Sequence, residues 1–158
     1  MLLADSSHAR LERFFRAYLR DEAARLPRIF IHAGSFSGWL TRVFRIAAIT
    51  VGCHVFVTPK VVGRDEGGRL TVPGWLVAHE AAHVLQYRRE GFVPFLFNYL
   101  REYFASLAEG KKLGAEARME AYRQLSRERE AREIEAAYLE WCAGVSVGEK
   151  VGATTLSL

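Results

Sequence analysis

The sequence predicts an α+β fold on three observations. Runs rich in β-branched residues occur at Arg28 to His32 and Ala48 to Val57, an apolar helical run from Trp75 to Gln86 carries His79-Glu80-Ala81-Ala82-His83, and helical periodicity then continues to about Ala143. Sheet-forming residues come first and helices dominate afterwards, which suits a small sheet packed on helices rather than an alternating βαβ array.

Residues from about Ser7 to Arg25 read as an amphipathic helix, giving an N-terminal helical segment over 1–26. Leu11, Phe14, Phe15, Tyr18 and Leu19 fall on one side, with Arg10, Arg13, Arg16 and Arg20 towards the other. Arg28-Ile29-Phe30-Ile31-His32 reads as a short strand, and Ser37 opens a helix carrying Trp39, Leu40, Val43 and Phe44. Ala48 to Val57 has Gly52 at its middle, as a tight hairpin or bulged strand requires, and Pro59 ends it. Arg64 to Arg69 is a polar, glycine-containing loop. Thr71 and Pro73 open the motif helix and Gly91 closes it. Helices follow over about Pro94 to Glu109 and Ala115 to Ala143, and the tail 144–158 is expected to form a last short strand or to fray.

At 158 residues, 50% apolar and 25% charged, the chain is expected to form a single domain over 1–158 with a substantial core. No stretch approaches the roughly 20 consecutive apolar residues of a membrane span, and no secretion signal is seen, so a cytoplasmic location is the expectation. Cys53 and Cys142 are far apart and lack metal-ligand spacing, so free, buried thiols are expected. The net charge of +4 is spread along helices, and nucleic acid is not indicated as a partner.

The pentapeptide His79 to His83 carries the chemistry. Four residues advance a helix by about 400°, so His79 and His83 project from one face, with Glu80 about 100° round at its edge. Two imidazoles and an adjacent carboxylate supply two ligands and a general base for a Zn2+ site, which needs a third protein ligand and an open position for water.

The segments Ile29 to His32, Ala48 to Val57 and His79-Glu80-Ala81-Ala82-His83-Val84-Leu85-Gln86 resemble, in order and spacing, a bacterial family of zincin-like metallopeptidase domains, some attached to extracellular contractile injection systems. Members read V-x-V-H, then A-x-T-x-G-x-x-I-x-F, then H-E-x-x-H-V-x-Q. The resemblance implies a minimal zincin-like fold and a gluzincin-type third ligand, a glutamate on a later helix. Matching the family pattern to Glu133-Ile134-Glu135-Ala136-Ala137 places that ligand at Glu133, with alanine where related peptidases carry a supporting aspartate. Periodicity offers Glu135 instead, because it lies within the apolar arc of Ala131, Ile134, Tyr138, Trp141 and Cys142. Glu130 and Glu140 share this helix.

The expected activity is zinc-dependent hydrolysis of peptide bonds, with Glu80 as general base, a peptide or protein as substrate, and the exposed edge of a preceding strand holding it. Tyr122 and Tyr138 are candidate stabilisers of the oxyanion, with His32 and His54 behind them. The alternative is a non-catalytic metal-binding or protein-interaction module that keeps a degenerate site. A third reading has Arg10, Arg13, Arg16 and Arg20 touching a membrane or polyanion.

Overall fold

A computed structural model describes residues 1–44, 46–109, 125–145 and 155–158. Its architecture is α+β: among the described residues, five α-helices accompany two sheets of three strands.

Helix α1 (Asp5–Leu19) buries Leu11, Phe14 and Phe15, but Tyr18 and Leu19 are exposed and the helix stops short of the expected Arg25. Arg20 adopts a left-handed conformation (φ 53°), its N–H bonding Ala17 and that of Asp21 bonding Arg16, which closes the last turn. The chain then folds back along the helix, with Leu26 N donating to Glu12 Oε2 at 3.1 Å and Arg16 Nε to Ala24 O at 3.1 Å. That return leads Ile29 and Ile31 into the core. Arg16 also pairs with Glu12, and Arg10 donates to Cys142 Sγ, so two of the four arginines of the basic side have partners within the protein.

Sheet A has the order β1-β3-β2. Strand β1 (Phe30–His32) lies parallel to β3 (His54–Val57), and β2 (Ala48–Val51) pairs antiparallel with β3. Gly52, at φ 62°, makes the two-residue turn between β2 and β3, a conformation glycine adopts without steric cost. Helix α2 (Ser35–Phe44) begins two residues earlier than Ser37, whose hydroxyl donates to Gly34 O at 2.7 Å. The outer edge of β1 is covered by the first residues, through Ile31 N to Met1 O and Leu3 N to Ile29 O. The outer edge of β2 has no backbone partner among the described residues.

Sheet B, order β4-β5-β6, contains β4 (Gly63–Arg64), β5 (Leu70–Pro73) and β6 (Thr155–Ser157), all antiparallel. The polar loop at Arg64 to Arg69 is thus a hairpin connection, and the last residues do form a strand.

Helix α3 (Gly74–Glu90) is the centre of the molecule, with residues buried all round it from Leu76 to Gln86. Sheet A packs on one side and α5 (Ser126–Val145) on another. Close approach at the start of α3 needs Gly74, where an added Cβ would come within 2.9 Å of the Tyr138 hydroxyl. Gly91, at φ 85°, ends the helix, and α4 (Phe92–Glu109) follows directly. Helix α4 buries Phe95 and exposes Val93, Phe97 and Phe104. No helix among the described residues is long and apolar enough to cross a membrane. Cys53 and Cys142 are not joined in a disulfide; Cys142 is buried and Cys53 half-buried.

Candidate metal centre

Helices α3 and α5 run antiparallel, bringing Gly74 to Tyr138, His79 to Glu135 and His83 to Glu128. His79 Nε2 lies 3.5 Å from Glu128 Oε2 and His83 Nε2 lies 3.3 Å from Glu128 Oε1. Each of the three residues offers one donor atom, and these atoms lie within 4.8 Å of one another. Donors held at about 2.0–2.2 Å by one tetrahedral ion are roughly 3.3–3.6 Å apart, so both nitrogen–oxygen separations, each to a different oxygen of Glu128, suit a shared zinc.

The other ring nitrogens are already occupied. His79 Nδ1 is 3.1 Å from Glu135 Oε2, and His83 Nδ1 is 2.8 Å from Gln86 Oε1. Gln86 is oriented in turn, because its amide nitrogen donates to Glu130 Oε2 at 2.8 Å and to Arg127 O at 3.2 Å. Its carbonyl oxygen therefore accepts the Nδ1 proton of His83, so Nε2, facing Glu128, is the nitrogen that can exchange its proton for a metal. This outer support fixes the tautomer and ring orientation that a ligand needs.

The third member of this cluster is Glu128, where the sequence reading placed Glu133. Glu133 is exposed and lies near enough to Tyr18 for its charge, after burial, to help raise that phenol's pKa. Helical phase explains the difference. Glu128 and Glu135 are seven residues apart and only about 20° out of phase, whereas Glu133 is turned about 140° from Glu128. Glu135, the alternate candidate, contacts His79 at Nδ1, on the side away from the cluster. A signal for Glu128 was present: Glu128-x-x-Ala131 has the same spacing as Glu133-x-x-Ala136, and Ala131 is fully buried.

Helix α5 is held at this end by α4. Glu102 accepts hydrogen bonds from Ser126 N and Oγ, and Arg127 pairs with Glu90 and Glu102 while lying over the Phe95 ring. The Tyr99 hydroxyl donates to Glu128 Oε1 at 3.3 Å. Among the described residues, Tyr99 is thus the tyrosine bonded to the cluster. Tyr138 is packed in the core against Phe14 and Gly74, and Tyr122 lies outside the described residues.

Glu80 is buried and accepts a 2.6 Å hydrogen bond from Thr50 Oγ1 of β2. Burial pushes the His83 pKa down, but the hydrogen bond and charge of Glu128, then Glu80 and Gln86, outweigh it and raise the value to about 9 in the metal-free protein. Burial likewise opposes ionisation of Glu128, and its hydrogen bonds with His79 and His83 hold it well below the ordinary carboxylate range. The cluster is a concentrated acceptor of positive charge. A cleft of about 570 Å³ beside α2, lined by Trp39, Ile46 and Pro59 among others, contains none of these residues.

A family model described as eCIS core domain matches residues 3–91. That region includes His79, Glu80, His83 and Gln86 and ends before Tyr99 and Glu128. No curated protein and no solved structure matches the chain.

Proposed function

We propose that this chain, which belongs to the eCIS core domain family, is a zinc-dependent peptidase in which His79, His83 and Glu128 hold the ion and Glu80 is the general base. The observation that carries this reading is the convergence of both Nε2 atoms on one buried carboxylate while both Nδ1 atoms are held from outside. Bound zinc would supply Lewis acidity, bringing the pKa of a water towards about 7 and polarising an amide carbonyl.

The protein's own groups account for the remaining chemistry. Thr50 fixes one oxygen of Glu80, and the carboxylate takes a proton from the attacking water and passes it to the leaving amide nitrogen. Tyr99 takes the oxyanion-stabilising role first assigned to Tyr122 or Tyr138, since its hydroxyl already lies at Glu128. Strand β2 supplies a rail for an extended peptide. In its antiparallel ladder Val51 and Ile49 turn their backbone groups to β3, so those of Ala48 and Thr50 face the unpaired edge beside Glu80.

Glu80→Gln tests the mechanism. The variant should bind zinc with wild-type stoichiometry and lose at least about a hundredfold in cleavage of a peptide library. Equal cleavage by the zinc-loaded wild type and variant would refute the base assignment.

Burial and the family description together support a second reading, a non-catalytic module in which the cluster serves structure or protein interaction. The Glu128 side chain is 3% exposed and that of His83 is 8% exposed. Zinc absorption spectroscopy separates the two, because a structural site closes with four protein ligands and a catalytic one keeps an oxygen from water.

A further inference from the structure

A second pair of imidazoles lies on the opposite surface of sheet A. In the parallel register of β1 and β3, Phe30 stands beside His54 and His32 beside Phe56. Ile31 and Val55 point inwards and are fully buried, so the four rings share the outer face, away from α3. His54 stacks on Phe30 with ring centres 5.1 Å apart, and His32 stacks on Phe56 at 4.8 Å. His32 Nε2 and His54 Nδ1 are 3.0 Å apart.

That separation has a chemical meaning beyond a hydrogen bond. Two nitrogens each about 2.0–2.1 Å from one ion, at angles between a right angle and the tetrahedral value, lie roughly 2.9–3.4 Å apart. The two rings are already spaced as neighbouring ligands. Stacking on Phe30 and Phe56 and the paired backbone of β1 and β3 restrict both side chains, so little freedom is lost on binding. Neither imidazole has a carboxylate partner among the described residues, which disfavours the oxygen-seeking cations calcium and magnesium.

We infer that His32 and His54 form a second cation site, a two-imidazole chelate for a late first-row divalent metal, with copper(II) bound most tightly. Imidazole suits copper, nickel and zinc, and copper(II) stands highest in the general affinity order. Two protein ligands leave the other positions to water, or to a side chain brought by another molecule. The site shares no residue with the His79 cluster and lies on strands rather than helices.

The test uses the whole protein, first given one equivalent of zinc and then titrated with copper(II) under calorimetry and electron paramagnetic resonance. One further equivalent should bind with hyperfine splitting from two imidazole nitrogens. Replacing His32 or His54 with Gln should each weaken it at least about tenfold, and Glu133→Gln, at an exposed position on α5, should leave it intact. Absence of a second equivalent in the wild type overturns the inference without requiring any variant to fold. So does copper binding that survives both substitutions, or a signal traced to the terminal amine of Met1.

Discussion

Gln86 points its amide oxygen at His83 Nδ1 from 2.8 Å, one turn further along the same helix. That contact decides which imidazole nitrogen is available, because the amide nitrogen of Gln86 is committed to Glu130 and to the Arg127 carbonyl. Gln86→Leu should keep the helix while removing the acceptor. Zinc affinity, measured by competition with a chelator, should fall about 10–100-fold, the usual effect of losing such support. An unchanged affinity would mean the ring needs no outer partner.

Glu128 and Glu133 make opposite predictions. Glu128→Gln should abolish zinc retention through dialysis, whereas Glu133→Gln, at an exposed position, should behave as wild type in metal content and thermal stability. The reverse result would return the third-ligand role to Glu133.

The metal-free protein should lose stability as pH rises from about 6.5 to 9. His83 has a folded-state pKa of about 9 against an ordinary value of 6.5, so its contribution is complete below 6.5 and lost as the pH passes through 9. Glu128, held low, contributes in the other sense: its stabilisation is present above the ordinary carboxylate pKa and disappears on acidification. Zinc requires the unprotonated imidazole, so its affinity should climb over the interval in which the metal-free protein weakens. Melting temperatures across this range with and without zinc provide the check, and a flat metal-free profile would contradict the assignment.

Gly74→Ala should destabilise the fold by about 1–3 kcal/mol, as overpacking does, since the new methyl would meet the Tyr138 hydroxyl at 2.9 Å. Adding Tyr138→Phe should recover part of the loss by removing that oxygen, although ring carbon Cε1 stays close at 3.0 Å. Chemical denaturation of the single and double variants measures both effects.

Local features were legible in the sequence. The pairing of His79 with His83, the hairpin at Gly52 and the helix stop at Gly91 each depend on a few adjacent residues, and all appear. Glu128 was not identified, because its place depends on the register of two helices whose contacting residues are far apart in sequence. Glu133 followed from a Glu-x-x-Ala spacing that the helix contains three times, at Glu128, Glu133 and Glu140. Thr50 and Gln86 stand at positions that the family patterns specify, but only the tertiary contacts reveal that one holds Glu80 and the other His83. Helix α1 was read too long because nothing in its periodicity announces the left-handed Arg20.

The donor set draws on both sides of a long excursion of the chain, with His83 before α4 and Glu128 after the segment that follows it. A cation gripped by both would act as a clasp on that excursion, closing it as a covalent cross-link would. Losing the cation would leave the contacts of Glu102 and Arg127 to keep the start of α5 against α4.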